Sequence, residues 1–335
     1  MTGEKTLSSA GGTPDNPDGT SHIALDRTPK KHGPIEVLRQ SYIVMKNEIK
    51  KFFSGKRMLV FSLILAAIIF VIAVAPYLVG SEAKPFMFVA VASLVVLMAS
   101  TLFASISIVS EYEERTALIV FTRPISKFSI FTGKMMACLL VTIGFTFLYY
   151  LVAILVGLIV DHEFSADMMV SFGLASAYAF ATTGIAMLVS SLLKKASTST
   201  IITFVILAVI FMALSLVLNA ASVDTSWMLY DCAGSIENAS SGYRDYTNEV
   251  LNELTETLSN PESFFKQNWA QILTDDGYNP MVFMAEVTKI WGLGEAVGDL
   301  GQVTEPDYLH DTIVMIVWGL VGLVAAFVAF IRREF

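Results

Sequence analysis

Apolar residues fall along this chain in long blocks, where a soluble core would use short clusters. Six blocks are long enough to cross the hydrocarbon core of a bilayer, which takes about 20 residues of helix. They are residues 58–79, 85–110, 135–160, 168–193, 201–220 and 312–331. None contains Asp, Glu, Lys or Arg. Strand-like alternation is scarce and no internal repeat is visible. The pattern predicts an all-α integral membrane protein with six transmembrane helices.

A different pattern precedes the first block. In "GPIEVLRQSYIVMKNEIKKFFSGKR", residues 33–57, the apolar positions Ile35, Leu38, Tyr42, Met45, Ile49 and Phe52 recur at spacings of three and four. They form one helical face, with Arg39, Lys46, Lys50 and Lys51 mostly off it. This predicts an amphipathic helix lying in the membrane interface, its cations near anionic head groups, feeding directly into the first span. Residues 1–32 are rich in Gly, Ser, Thr, Pro and Asp and bury too little to offset chain entropy, so a disordered tail is expected.

The stretch 221–311 between the fifth and sixth blocks is too long for a bare connection. Val250, Leu251, Leu254 and Leu258 share one helical face. After Pro261 a second is formed by Phe264, Phe265, Trp269 and Ile272, and after Pro280 a third by Met284, Val287 and Trp291. A small helical insert is predicted there. Residues 312–335 supply the last span and the C-terminus.

Charge fixes the expected orientation. Residues 27–57 hold nine Lys or Arg and two Glu, whereas residues 222–311 hold sixteen acids and only Arg244, Lys266 and Lys289. Lys194 and Lys195 follow the fourth block, and Arg332 and Arg333 the sixth. Basic residues thus alternate with the spans as the positive-inside rule requires, placing both termini in the cytoplasm and the insert outside the cell membrane. The net charge of −8 comes from the insert and implies no nucleic acid. Only 16% of residues are charged, against about 25% in soluble domains. Two cysteines, Cys138 and Cys232, imply no disulfide framework.

Between the second and third blocks lies "IVSEYEERTALIVFTRPISKFSIFTGKMM", residues 108–136, with three Glu, two Arg and two Lys. Leu118, Ile119 and Phe121 make a small apolar cluster after a charged turn. Pro124 stops that helix, and Ser126 suits the N-cap of the next. A flexible connector would not need a helix–proline–helix pattern bounded by charge; an element that docks a soluble partner would. The segment resembles the cytoplasmic loop between spans two and three of permeases of the type-2 exporter family of ABC transporters. That family's pattern is an acid, then Gly-Thr-Leu, a small apolar patch, Pro-Ile/Val-Ser-Arg/Lys and a closing Gly-Lys. Glu111, Glu113 or Glu114 supplies the acid here, Thr116 the threonine and Leu118 the displaced apolar position. Pro124, Ile125, Ser126 and Lys127 match the proline motif, Ile130 the apolar position after it, and Gly133-Lys134 the exit. Arg115 and Ala117 depart from the usual Gly and Leu.

The resemblance implies a coupling helix that seats in a separate ABC ATPase subunit. Glu111, Glu113, Glu114, Thr116, Leu118, Arg123, Pro124, Ser126 and Lys127 are the partner-binding residues it implies. It also implies a second permease copy, the same chain or a paralogue, and ATP and magnesium held by the ATPase. No cofactor or metal is expected in this chain. In "FSIFTGKM", Phe128 stands where a Walker A motif needs its first Gly, and Met135 follows the Lys. Neither His-Glu-x-x-His nor Gly-x-Ser-x-Gly is present. No ionisable residue interrupts an apolar block, which argues against an ion-coupled transporter. In the fourth block Gly173, Ser176, Ala181, Thr182 and Gly184 offer a small-residue surface, suited equally to contact between permeases or within one. The reading is therefore the permease subunit of an ATP-driven exporter. The alternative is a membrane sensor or assembly scaffold whose outer insert binds a ligand.

Overall fold

The computed structural model of the chain describes residues 34–78, 83–113, 126–160, 162, 165–259 and 303–332. The expected disordered tail lies outside them. So do Glu114, Thr116, Leu118, Arg123 and Pro124 of the charged segment, and the two later helical faces of the insert, 264–272 and 284–291.

The described residues form helices and no strand. Helix α1 (Pro34–Ser54) opens on a proline, whose missing N–H has no helical partner at that position anyway. Gly55 separates it from α2 (Lys56–Leu78), the first span. The second span is built in three pieces, α3 (Pro85–Val89), α4 (Ala92–Ser107) and α5 (Val109–Glu113). Helices α6 (Lys127–Val160) and α7 (Asp167–Leu192) are continuous. The fifth span joins α8 (Ala196–Phe204) to α9 (Phe211–Ala220) through a π-helical turn, Val205–Ile210, in which the backbone accommodates an extra residue. Two shorter helices follow, α10 (Leu229–Asn238) and α11 (Ser241–Ser259), and then α12 (Tyr308–Arg332). Six of these stretches, Lys56–Leu78, Pro85–Glu113, Lys127–Val160, Asp167–Leu192, Ala196–Ala220 and Tyr308–Arg332, are long and apolar enough to cross a membrane. The chain is an all-α integral membrane protein.

The helices outrun the apolar blocks, and the difference matters most in α6. It starts at Lys127, so Lys134 stands two turns inside the helix and is almost completely buried. Spans free of charge are thus true of the apolar blocks but not of the whole helices that carry them.

Helix α7 forms the centre, with α4, α6 and α12 against it. Its contact with α12 is set by glycine. A Cβ on Gly184 would lie 2.5 Å from the carbonyl oxygen of Gly319, and one on Gly322 would lie 2.8 Å from the carbonyl carbon of Gly184. The two backbones touch, as small residues allow in lipid, where dispersion drives helices together in place of the hydrophobic effect. Ala181, Thr182 and Gly184 are all buried here, so this part of the small-residue surface works within the subunit. Gly173 has nothing within 4 Å of its Cβ position.

The first span is held loosely. Phe61 and Leu65 are its buried residues. The Phe61 ring stands edge-on to Phe145 at 4.7 Å and to Phe103 at 5.6 Å between centroids, and Phe52 of α1 meets Phe103 at 5.4 Å. Both cysteines are buried and free.

Candidate functional site

The charged segment cannot be separated from what holds its two ends. At the leading end, the second span breaks at Ile108. The amides of Ile108 and Val109 donate to Ser190 Oγ of α7, both at 3.1 Å. The break leaves the Ser107 carbonyl facing α6, where Lys134 Nζ donates to it at 2.8 Å. The same ammonium pairs with Glu111 of α5 at 2.8 Å and with Glu48 of α1. Lysine has three N–H donors, and here each has an acceptor on a different element. Glu48 and Glu111 are buried with it. Three ionised groups taken out of water are tolerable because each is paired; removing one partner from such a site costs about 3–5 kcal/mol. Beside them Lys51 donates to Ser110 Oγ at 3.4 Å.

Glu113 does separate work. Its Oε2 accepts the amide of Ala196 at 2.8 Å, so it caps the first residue of α8, where a helix N-terminus favours a carboxylate. Ser199 of α8 in turn donates its hydroxyl to the Ser105 carbonyl at 2.5 Å.

At the trailing end, Ser126 caps α6: its Oγ accepts the Ser129 amide at 3.0 Å. The Ser126 amide donates to Gln40 of α1 at 3.4 Å, and Ser129 Oγ to the Val37 carbonyl at 3.2 Å. One turn on, a Cβ at Gly133 would lie 2.6 Å from the Ser41 carbonyl and 2.7 Å from Val44 Cβ. Gly133 therefore lets α1 lie directly on α6. Lys127 is exposed at the first position of α6.

Of the residues singled out from sequence, the structure brings Glu111, Glu113 and Ser126 to the two roots of the charged segment. Lys127 stands beside them. Residues 114–125 lie between those roots and outside the described residues. Sequence reasoning missed Glu48 and took Gly133-Lys134 as a mere motif exit. The signal was present: Glu48 is the one acid among the six cations between residues 39 and 57.

The opposite end of the bundle is closed by α10. Leu229, Cys232, Ala233 and Ile236 are buried along one face of it, at the spacing a docked helix needs. Side chains and backbone tie it to four spans. Ser93 of α4 donates to Glu237 at 2.7 Å, and Ser171 of α7 donates to the Ile236 carbonyl at 2.6 Å. Ser215 of α9 donates to Asp231 at 2.6 Å, and Ser235 donates to Asp311 of α12. Tyr150 shares a hydrogen bond with Ser171 at 2.6 Å. Sequence reading of the insert passed over this helix because its apolar face is short and carries a cysteine and an alanine. The burial that protects α10 also pushes the Cys232 thiol up to about 12.

Glu237 is mostly buried, and burial lifts its carboxyl above the ordinary glutamate range; the hydroxyls of Ser93 and Tyr243, which donate to it, pull the other way. A raised carboxyl keeps its proton in the folded chain at pH values where the unfolded chain has lost it, so stability falls as pH rises above about 4.5 towards the raised value. Glu237→Gln is expected to melt with wild type at pH 4 and above it at pH 7, the gap opening as pH rises. Thermal unfolding of both proteins at the two pH values checks this; parallel behaviour would refute the burial argument.

The family model described as ABC-2 family transporter protein matches residues 79–335. Comparison with curated proteins finds no match.

Proposed function

Because the chain belongs to the ABC-2 family of transporter proteins and is therefore a membrane permease component of an ABC transporter, we propose that it forms the pathway of an ATP-driven exporter. It is a multi-pass membrane subunit, and its family works with an ABC ATPase subunit. In this reading ATP and magnesium are bound by that partner. Two permease copies, identical or paralogous, enclose the route. Both termini and the α1 end of the bundle lie in the cytoplasm, and α10 and α11 lie outside. Helix α1 lies in the inner membrane interface.

The observation that carries the reading is the rooting of the charged segment. Residues 114–125 connect α5 to α6; the leading root is tied to α1, α7 and α8 by hydrogen bonds and ion pairs, and the trailing root is tied to α1. An ATPase that grips Glu114, Thr116, Leu118, Arg123 and Pro124 pulls on both roots. Glu111 and Lys134 pass that motion to α1 and α6, while Glu113 passes it to α8. Charges at such a contact set register and partner choice more than affinity.

The test is co-purification with the cognate ABC ATPase subunit. Reversing Glu114 to Lys and Arg123 to Glu together is expected to lower ATPase capture at least tenfold without changing the melting temperature of the permease alone. Undiminished capture would show that the ATPase docks elsewhere. Glu111 is a poor choice for this experiment, because its loss also breaks a buried ion cluster.

A further inference from the structure

The apolar and docked faces of α1 are not the same face. At 3.6 residues per turn, the buried or half-buried positions Val37, Ser41, Val44, Glu48 and Phe52 form one stripe, and this stripe meets the bundle. The apolar stripe is turned from it by about a quarter of the circumference. Its leading members stay open: Ile35 is 82% exposed, Leu38 68% and Tyr42 60%. Next round the helix come Arg39, Lys46 and Lys50, spaced seven and four apart and all exposed. None of the ion pairs of the described residues involves them. The remaining side carries Glu36, Gln40 and Asn47.

We propose that Arg39, Lys46 and Lys50 form a binding surface for the head groups of anionic phospholipids, with Ile35, Leu38 and Tyr42 seated in the acyl region beneath them. Helix α1 ends one residue before the first span begins, so it lies within a turn of the membrane boundary. A helix there with adjoining apolar and basic stripes matches a lipid surface, the apolar stripe down and the cations level with the phosphates. What fixes the fit is the roll of α1. The contact of Gly133 with Ser41 and Val44, and the pairing of Lys134 with Glu48, allow one rotation about the helix axis. In that rotation the basic stripe points away from the bundle and stays open along the membrane surface. The inference rests on α1 lying at the membrane surface and not on any ATPase partner.

The test uses the purified full-length chain in vesicles of phosphatidylcholine with 20% phosphatidylglycerol. Asn47→Cys carries a donor dye, since Cys138 and Cys232 are buried. Acceptor-labelled phosphatidylglycerol and acceptor-labelled phosphatidylcholine are compared at equal mole fraction. Near the helix the anionic probe is expected to be enriched at least threefold, given roughly fivefold attraction per surface cation. Half-molar salt should remove the enrichment. So should Arg39→Gln/Lys46→Gln/Lys50→Gln, while Lys194→Gln/Lys195→Gln should retain it. Equal transfer to both probes in wild type overturns the proposal, and so does enrichment that survives the triple substitution. Should the triple variant fail to fold, the wild-type ratio and its salt dependence decide alone.

Discussion

Lys134→Met is expected to lower the stability of the folded chain by about 3–5 kcal/mol. Methionine fills much of the volume of lysine, so little is lost in packing. What is lost is the cation between Glu48 and Glu111, which leaves two buried carboxylates facing each other and the Ser107 carbonyl without its donor. In detergent the melting temperature should fall by roughly 10 °C, at the usual 2–4 °C per kcal/mol. The triple change Lys134→Met/Glu48→Gln/Glu111→Gln removes every charge together and should recover most of the loss, because neutral replacement of a whole buried ion cluster is often harmless. A single Lys134→Met protein that melts within about 2 °C of wild type would mean that the three groups do not meet in the folded molecule.

Gly184→Ala should rank next, with a loss of about 2–3 kcal/mol from overpacking. The added methyl would stand 2.5 Å from the Gly319 carbonyl oxygen, and backbone cannot swing aside. Gly319→Ala should be milder, because its methyl first meets the ring of Phe180, which can turn. Gly173→Ala should change nothing measurable, having open space around it. Thermal melting of the three variants gives the order. A Gly173 variant as unstable as the Gly184 variant would contradict close packing of α7 on α12.

These residues also mark how far the sequence could be read. Blocks of apolar residues announce the spans because lipid tolerates no other backbone than one bonded to itself. The ends of the charged segment were legible because proline, serine and acidic residues have strong local preferences there. The roll of α1 was not. Its apolar stripe predicts which side avoids water, yet two different media, lipid and protein, compete for that stripe. Here the bundle took the neighbouring side, through a glycine and a lysine 86 residues beyond Glu48. Nor could composition tell Gly173 from Gly184, since only the position of α12 makes them different.

The helix α10 closes its end of the bundle with four serine hydroxyls, each worth about 1 kcal/mol net or somewhat more where it meets a carboxylate, and with a buried apolar face, while the other end is fastened by one ion cluster that loses about 3–5 kcal/mol when a single partner goes. Fastening is thus spread over many separable contacts at one end and concentrated in a single cluster at the other. One substitution is therefore enough to loosen the clustered end, whereas the α10 end gives way only when several contacts go together.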